Sequence, residues 1–574
     1  MSYLFLFTVT PVQDFISQSR KLKDLFGSSE ILSCMTEIGL RICKREGVKE
    51  IFPILSTDNS SYPNRFLVEF ENKNIDKIKK IANEIEDNLL KFLRGLNDKN
   101  DKKIEEHIEN YFTFYWAISE INDNNYKKAF DEVEKNLAGA KNTKFFTQFG
   151  GGEGERGRKC SICGERNVVI AGRKLYKELK KKKLNVISDN IITEGEGLCG
   201  VCYVKRKNAK ESFESTAEVA LMHLPNCIMK KYPLLNKDSQ LFFKENITKS
   251  YFEKNNYFKK CDEEYKKCKE KLKKDDLEEC KKEYEKCKTE ECNKYKKVYK
   301  KFKDDLNEMK LKQTSYYAVI MFDGDDMGEW LSGNKGNLEK GRVKEFHQVL
   351  SKQLLEFAKA VKSIVNEPKG ITVYAGGEDF LGFVNINYLF NVLKELKEKW
   401  DEIVNKPLKQ KFDLSEDFTF SAGVVIAHYK TPLMTVLNEA RNAEKKAKDS
   451  GKNAVCLSVL KRSGDRRDNI SGFDIFFSYE TIINSLKENF SDSFIVKLEG
   501  EFLKIYDSEN SKTFSDISNL VYAEIKRLIS KSLKNEDAKK DIETLFETIK
   551  DTYSIDFRNF IDGLHICRFI SKEI

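Results

Sequence analysis

Residues 316–331, YYAVIMFDGDDMGEWL, decide the architecture of this chain. An unbroken apolar run ends at Phe322, an acidic cluster occupies residues 323–326, and a helical pattern opens at Gly328. Such a run predicts a buried strand that delivers carboxylates to one edge of a sheet and continues into a helix. Gly324 and Gly328 would let the backbone approach a phosphate closely, and the helix N-terminus would direct free amides toward it.

A second acidic motif lies downstream in residues 371–384, ITVYAGGEDFLGFV. Two apolar segments joined at a pair of glycines predict a hairpin that displays Glu378 and Asp379 at its tip. Oxygen ligands from two neighbouring strands suit Mg²⁺ or Mn²⁺, which neutralise a triphosphate and activate a ribose hydroxyl. Either motif alone is also compatible with a solvated turn, and an EF-hand is excluded because a loop beginning at Asp323 lacks its terminal Glu. Together the motifs predict a metal-dependent nucleotidyltransferase.

Further candidates follow in residues 418–455. The segment FTFSAGVVIAHYKTPL predicts a strand whose small residues leave room for a base or ribose, and a helix after it carries Lys445, Lys448 and Lys452, any of which could reach a triphosphate. The predicted catalytic and metal-binding residues are Asp323, Glu378 and Asp379. The predicted nucleotide-binding residues are Gly324, Asp325, Asp326, Met327, Gly328, Gly376, Gly377, Ser421, Gly423 and Lys448.

A chain of 574 residues exceeds what one hydrophobic core usually supports, so we expect several domains. Strands and helices alternate at both ends of the first 460 residues, whereas the last segment shows mainly helical patterns near 473–490, 493–505 and 513–534. The Gly-rich run around 147–159 is interpreted as a linker. We expect an α+β multidomain fold divided at 1–150, 151–243, 244–312, 313–460 and 461–574.

Four cysteines form two CxxC pairs, Cys160 with Cys163 and Cys199 with Cys202, separated by 35 residues. Knuckle-like turns of this kind direct two thiolates at one ion, which predicts a structural Zn²⁺ site with a closed Cys₄ shell. Unrelated core cysteines or a redox pair are the alternative.

The highly charged segment 244–312 contains a helical repeat. Apolar residues follow 3,4 spacing on both sides of a break near Lys274, which predicts an antiparallel helical hairpin. This arrangement places Cys261 opposite Cys287 and Cys268 opposite Cys280. We expect thiols that act as small seam residues, because cysteines seven apart on one helix lie roughly 10 Å apart and cannot share a zinc ion. The lysines either cover a solvated coiled coil or follow an RNA backbone.

The composition is compatible with an RNA partner but does not require one. The formal net charge is +9 with 34% charged residues, which is a modest excess. The chain opens without a leader pattern or an apolar run that could cross a bilayer, so we expect a cytoplasmic protein without a membrane partner. Its 14 cysteines then fit metal ligands and core positions better than secreted disulfides.

An ordered set of motifs resembles the large, polymerase-like subunit of type III CRISPR effector complexes, most closely the Cmr (III-B) type. The set covers most of the chain: TPVQDFISQSRKLKDLFGSSEILS at 10–33, PNRFLVEF at 63–70, the two CxxC pairs, STAEVA at 215–220, DGDDMG at 323–328, YAGGEDF at 374–380 and SAGVVIAHYKTPL at 421–433. The resemblance implies two ferredoxin-like palm domains related to nucleotidyl cyclases, with the second active. It also implies synthesis of cyclic oligoadenylate from ATP for antiviral defence when guide RNA pairs with target RNA in the Cmr complex.

The first palm departs from the second at the end of its first strand. Residues 8–11, Thr-Val-Thr-Pro, stand where residues 322–325 read Phe-Asp-Gly-Asp, so we expect a degenerate nucleotide-binding partner. The hairpin reads GGED where the family usually has GGDD, which keeps carboxylate chemistry on a longer arm at Glu378. No His-Asp pair is present among the five histidines, so we expect no accompanying nuclease domain.

Three alternatives to cyclic oligoadenylate synthesis remain open. The same site could join AMP to another metabolite such as S-adenosylmethionine, with the acceptor in the degenerate palm. A free-standing diguanylate-cyclase-like enzyme would share the hairpin but would leave the zinc segment unexplained. A non-catalytic scaffold would bind RNA and partner subunits without acting on ATP.

Overall fold

The computed structural model describes residues 2–56, 61–122, 125–143, 157–179, 185–186, 191–209, 215–255, 257–271, 277–486 and 557–574, with a few residues between 496 and 543. Most of the interpreted linker at 147–159 and the helical patterns near 493–505 and 513–534 lie outside these residues. Among the described helices, none has the length and apolar character needed to cross a membrane.

The first palm is a four-stranded antiparallel sheet covered by helices. Its strands are β1 Ser2–Thr10, β2 Lys49–Phe52, β3 Arg65–Glu71 and β4 Thr113–Glu120, in the order β2-β3-β1-β4. The helices are α1 Gln13–Ser17, α2 Leu22–Arg45, α3 Ile75–Gly95, α4 Lys102–Glu109 and α5 Tyr126–Asn142. One sheet face is built from aromatic residues of neighbouring strands, with Phe7 stacked on Phe66. This order and these connections are those of a ferredoxin-like fold.

The second palm repeats the same plan. Its core strands are β8 Tyr316–Gly324, β9 Gly370–Ala375, β10 Phe380–Asn385 and β11 Phe420–His428, in the order β9-β10-β8-β11, and β12 Ala454–Leu460 and β13 Arg466–Gly472 extend the sheet beyond β11. The helices are α13 Met327–Leu331, α14 Val343–Ile364, α15 Leu389–Trp400, α16 Lys406–Phe412 and α17 Leu433–Asp449. The central strand β8 is buried on both faces, which explains its continuous apolar run. Two ferredoxin-like domains are therefore confirmed.

Between the palms, the chain forms a cysteine-containing segment and a helical region. The former has short strands β5 Ile170–Ala171, β6 Asn185–Val186 and β7 Gly197–Leu198 with helices α6 Arg173–Glu178 and α7 Gly200–Lys207. The latter has α8 Thr216–Leu221, α9 Asn226–Lys231, α10 Lys249–Lys254, α11 Lys259–Lys271 and α12 Leu277–Glu308.

Helices α11 and α12 form the antiparallel hairpin that the 3,4 spacing predicts. Both predicted cysteine pairs face each other, but our expectation of free thiols was wrong. Cys261 is bonded to Cys287 and Cys268 to Cys280, with Cα–Cα distances of 5.9 and 6.0 Å. Each pair lies directly across the seam, where the Cα separation suits a disulfide. Between the two disulfides, Tyr265 stacks on Tyr284 at 4.7 Å between ring centroids.

The C-terminal region contributes α18 Phe473–Leu486 and α19 Phe557–Glu573 to the described residues. These two helices pack on each other and on the edge strand β13, where the Asn559 side chain exchanges hydrogen bonds with the Ile470 backbone at 2.7 Å. Their apolar residues join the core of the second palm, so this part of the chain closes the far edge of that sheet.

The two palms pack directly against each other. The Tyr126 hydroxyl of α5 lies 2.9 Å from His347 Nδ1 on α14, and the Ile54 amide donates to the Ser351 hydroxyl at 3.2 Å. Lys344 forms an ion pair with Glu69 at 2.5 Å. A single apolar core runs across this contact, so the palms form a continuous unit.

Candidate active site

The β8 strand end and the β9–β10 hairpin tip meet at one edge of the second sheet. The register pairs Phe322 with Phe380, and the Gly324 amide donates to the Glu378 carbonyl at 3.1 Å. The Gly376 amide donates to the Asp379 carbonyl at 3.0 Å and closes the tip. The structure thus brings together the two acidic motifs that lie far apart in sequence.

The converging carboxylates strongly affect each other. Glu378 is held at a pKa of about 7, because burial disfavours its charge and Asp323 lies nearby, although Arg65 opposes the shift. Burial, together with Glu378 and Asp323, raises the pKa of Asp379 well above its usual range. Several partly buried acids at one point carry an electrostatic cost that a cation would remove.

One cation of the chain already lies at this point. The Lys448 ammonium of α17 contacts the Asp323 carboxylate and lies 3.1 Å from Glu444 Oε1. Of the three lysines that we predicted could reach a triphosphate, Lys448 lies at the acids, whereas Lys445 lies on the exposed face of α17. Lys452 instead pairs with Asp326, and Asp326 also contacts Lys335.

The acid cluster offers oxygen ligands for a divalent metal, although among the described residues only four cysteines, discussed below, bring three or more ligand atoms close enough together to hold an ion as the chain stands. Glu378 Oε2 is buried and has no hydrogen-bond partner within the described residues, so one ligand oxygen is left free. Asp323, Glu378 and Asp379 would supply the hard oxygen ligands that Mg²⁺ or Mn²⁺ prefers. A buried acid without a partner is costly in a purely structural role, which favours a role as a ligand.

Asp325 lies beside the acid cluster but is fully engaged with the protein. Its carboxylate accepts hydrogen bonds from the Thr419 and Ser421 hydroxyls, both at 2.7 Å, and from the Asn453 amide at 3.0 Å. Asp325 is 2% exposed, so these bonds tie the β8 end to β11 and to the loop after α17. The hydroxyl of Ser421, a predicted nucleotide contact, is thereby directed at Asp325.

Of the predicted glycines, Gly423 lies at a point of very close backbone approach, and the others differ in their surroundings. A Cβ on Gly423 would lie 2.3 Å from the Ala440 carbonyl oxygen, so this glycine lets α17 approach β11. A Cβ on Gly376 would lie 2.0 Å from the Tyr374 hydroxyl, and Gly377 has a φ of +106°. Gly324 packs against Met327, while a Cβ on Gly328 would meet nothing within 4 Å.

A cavity of about 300 Å³ opens beside the acids, between the two palms. Our sequence reasoning missed most of its polar lining. The second palm contributes Asp323, Asp379, Tyr374, Arg441 and Glu444, and the first contributes Gln13, Tyr62 and Asn64. Arg441, Glu444 and Lys448 follow 3,4 spacing on α17, so the helix that carries Lys448 could have indicated its two neighbours.

The first palm has an equivalent tip, and the register corrects our alignment of it. Phe7 pairs with Phe66 as Phe322 pairs with Phe380, and the Val9 amide donates to the Asn64 carbonyl at 3.0 Å. Thr8 therefore corresponds to Asp323, whereas we had set Thr8 against Phe322. By the same register, Asn64 and Arg65 correspond to Glu378 and Asp379. After the alignment is shifted by one residue, the first palm still lacks an acid at each of these positions.

The four predicted zinc ligands form one cluster. The sulfur atoms of Cys160, Cys163, Cys199 and Cys202 all lie within 4.8 Å of one another. The Ile162 and Cys202 amides each lie 3.4 Å from a cluster sulfur, and Gly164 adopts a φ of +69° after the first pair. Four thiols at this separation fit the tetrahedral Cys₄ arrangement typical of structural zinc.

Parts of this chain match known protein families. The family model for "Cas10/Cmr2, second palm domain" matches residues 316–456, and the model for "CRISPR-associated protein Cmr2, N-terminal" matches residues 4–109. The CRISPR system Cmr subunit Cmr2 of Pyrococcus furiosus is 24% identical over 679 residues, covering 94% of this chain and 73% of that protein. The N-terminal part and the second palm of this chain are therefore similar to those of Cas10/Cmr2 proteins.

Two solved structures share the fold of this chain. A chain of type III-B Cmr-β bound to cognate target RNA matches with a TM-score of 0.60 and 14% identity, covering 99% of this chain and 83% of that chain. A chain of the same complex in the apo state gives 0.59 and 15%, with 99% and 82% covered. The acid cluster lies within the residues that match the second-palm model.

Proposed function

We propose that this chain is the catalytic large subunit of an RNA-guided type III-B effector complex. Its second palm makes cyclic oligoadenylate from ATP when guide RNA pairs with target RNA. The partners are ATP, both RNAs and the other Cmr subunits. The P. furiosus relative is named as a Cmr subunit, and the similar Cmr-β chain comes from a complex with target RNA, which supports this assembly.

A single observation carries the catalytic part of the proposal. Asp323, Glu378 and Asp379 converge beside a cavity large enough for part of a nucleotide, and Glu378 retains a buried oxygen without a partner. A site that was only structural would pair or neutralise such acids. The neighbouring Lys448 supplies positive charge for phosphate oxygens.

The residues divide the work of nucleotidyl transfer among them. Asp323, Glu378 and Asp379 would hold divalent cations, which neutralise the triphosphate and favour the ionised form of the attacking hydroxyl. Lys448 binds phosphate oxygens and stabilises charge on the leaving pyrophosphate. Asp325 keeps β8 and β11 in register, so that Asp323 is held in place. The wall from the first palm limits water access and orients the acceptor nucleotide.

The test uses the complex assembled with guide RNA. Incubation with ATP, Mg²⁺ and target RNA should give cyclic adenylate products that require target RNA, and Asp323→Ala should abolish them. Lys445→Ala is a matched control on the exposed face of α17 and should leave synthesis unchanged. Undiminished synthesis in the Asp323→Ala complex would refute the site, and absence of any ATP-derived product from the wild-type complex would favour a scaffold.

A second product class is favoured by the lining of the cavity. One wall, from the first palm, combines the apolar residues Val12, Ile16 and Leu32 with the polar side chains of Gln13 and Asn64. Such a wall suits a metabolite acceptor, such as S-adenosylmethionine, as well as a second ATP. Mass spectrometry of the products with and without the metabolite separates the two: an AMP conjugate formed only with the metabolite would replace cyclic oligoadenylate in the proposal.

A further inference from the structure

Lys205 is a fully buried lysine outside the acid cluster. It lies near the end of α7, three residues after Cys202, and is 1% exposed. Its ammonium donates to the carbonyls of Phe15 and Gln18, both at 2.6 Å, and lies 5.0 Å from the centre of the Phe15 ring. Within the described residues, the ammonium forms no ion pair with a carboxylate. Burying an ammonium without a carboxylate partner costs free energy, which suggests that its contacts with α1 have a specific role.

These contacts fix the C-terminal end of α1. This helix has only five residues, and the Phe15 carbonyl also accepts from the Ser28 hydroxyl at 3.3 Å. A cation at the C-terminus of a helix interacts favourably with its free carbonyls. Because a helix this short has little stability of its own, its position depends on what holds it from outside.

Helix α1 forms part of the cavity between the palms. Gln13 and Ile16 line the cavity, and the Arg441 guanidinium of α17 donates to the Gln13 carbonyl at 3.4 Å. Arg441 lies on the same helix as Glu444 and Lys448, which face the acids. Lys205 thus holds one end of α1, and the other end contacts the helix that supplies the catalytic lysine.

The support behind Lys205 is rigid. A Cβ on Gly27 would lie 1.7 Å from the Lys205 carbonyl oxygen, so α2 and α7 are in close backbone contact. The neighbouring Arg206 forms a buried ion pair with Asp24 at 2.7 Å and a second one with Glu196 at 2.7 Å. Helix α7 therefore cannot move without disturbing several buried polar groups.

We propose that Lys205 is a positioning residue for the cavity between the palms: by holding α1, it sets the affinity of the cavity for ATP. The inference rests on the proposed function and deepens it. Lys205 lies behind the cavity wall and contacts neither the acids nor the cavity itself.

The test replaces Lys205 by Met in the full chain, with Lys288→Met as a matched control. Lys288 is also buried, with its side chain 7% exposed, and it pairs with Glu253 at 2.7 Å in the α11–α12 region. In Lys205→Met, amide hydrogen exchange in residues 13–19 should accelerate by about tenfold, a size typical of coupling between sites. Exchange there should be unchanged in Lys288→Met.

A kinetic readout separates positioning from general support. In the assembled complex with target RNA, KM for ATP should rise by about tenfold in Lys205→Met while kcat changes less than about twofold, because the acids stay in place. Lys205→Gln, which retains one amide donor, should show an intermediate effect and carries the test if the Met variant does not fold.

Two outcomes would overturn the inference. One is unchanged exchange in residues 13–19 of a folded Lys205→Met chain. The other is faster exchange spread over the whole first palm, which would make Lys205 a residue of general stability. The exchange experiment needs no turnover, so a wild-type complex without any nucleotide product would refute the proposed function and leave the exchange result to decide the role of Lys205.

Discussion

The two palms share one strand order but differ at their tips, and three of the differing positions carry the acids. In the second palm these positions are Asp323, Glu378 and Asp379, and the register sets Thr8, Asn64 and Arg65 there in the first. Three acids have become a hydroxyl, an amide and a guanidinium, while the aromatic pairs behind the tips are the same. The fold therefore does not need the acids, and under the proposed function they serve as metal ligands.

The degenerate tip is still part of the site. Asn64 and Tyr62 line the cavity, and the Arg65 charge counteracts the rise in the pKa of Glu378. One palm therefore brings carboxyl groups to the space between them, and the other lines it with neutral polar groups, with the Arg65 guanidinium close enough to act on Glu378. The first palm thus forms one wall of the cavity beside the acids of the second palm.

The largest effect is expected from exchanging an acid for its neutral isostere. Glu378→Gln should lower the rate of nucleotidyl transfer by about a hundredfold to a thousandfold, as for other losses of a charge-stabilising group. The matched change in the first palm, Asn64→Ala, should cost less than about tenfold, because no metal ligand is lost. Initial rates in the assembled complex with target RNA decide this.

The same variant has an opposite effect on stability. Neutralising Glu378 removes a buried charge beside other acids, so Glu378→Gln should raise the free energy of unfolding by about 1 kcal/mol in EDTA. Denaturant unfolding of the metal-free chain measures this. Equal losses of activity in Glu378→Gln and Asn64→Ala would break the comparison, because they would make both tips equally catalytic.

The next effect concerns Asp325, a buried acid whose position in the first palm is occupied by Thr10. Asp325→Ala should lower the free energy of unfolding by about 3 kcal/mol, because it leaves two hydroxyls and an amide without their acceptor. At the corresponding position of the first palm, Thr10→Ala removes one exposed hydrogen bond of 3.3 Å and should cost less than about 0.5 kcal/mol. Paired urea titrations test the difference, and similar losses for both variants would contradict it.

A smaller, pH-dependent effect is expected where the palms meet. Burial lowers the pKa of His347 to about 4 from its ordinary 6.5, and the neutral ring accepts from the Tyr126 hydroxyl and donates to the Leu331 carbonyl at 2.7 Å. As the pH falls from 6.5 to 4, the unfolded chain takes up a proton that the folded chain refuses. The stability present in full above pH 6.5 is therefore lost through this window.

The variant His347→Gln should reduce this loss by on the order of 2 kcal/mol between pH 7 and pH 4.5. The comparison between wild type and variant isolates His347, since His428 and His565 also have pKa values of about 4 and contribute equally to both chains. Identical pH slopes in the two chains would mean that the contact between the palms is not sensitive to protonation.

Local patterns predicted the elements of the site, and long-range packing supplied what they could not. The apolar run before Asp323 and the glycine pair before Glu378 predicted a strand end and a hairpin because both are local signals. The engagement of Asp325 by Thr419 and Asn453 could not be foreseen, because it joins residues far apart in the chain. The correspondence of Thr8 with Asp323 likewise depends on strand register, which joins distant parts of the chain. The cavity between the palms also depends on such long-range contacts, because both palms line it.

The helical hairpin of α11 and α12 lies outside both palms. A change there therefore tests whether the difference between the two palm tips is independent of the rest of the chain. Its 3,4 spacing predicted which cysteines face each other but not their oxidation state, which depends on a covalent bond that periodicity does not encode.

Replacing Cys268 and Cys280 by Ser removes a crosslink that closes a separation of 12 residues. Because such a crosslink restricts mainly the unfolded segment, the hairpin should lose about 3 kcal/mol of local stability, seen as faster amide exchange in α11. Exchange at both palm tips and the rate of ATP conversion should stay within about twofold of wild type, since the hydrogen bonds and ion pairs of the described seam residues involve no tip residue. If the palms responded as strongly as α11, the contrast between an acidic tip and a neutral wall would not be confined to the palms, and the hairpin would have to be counted as part of the site.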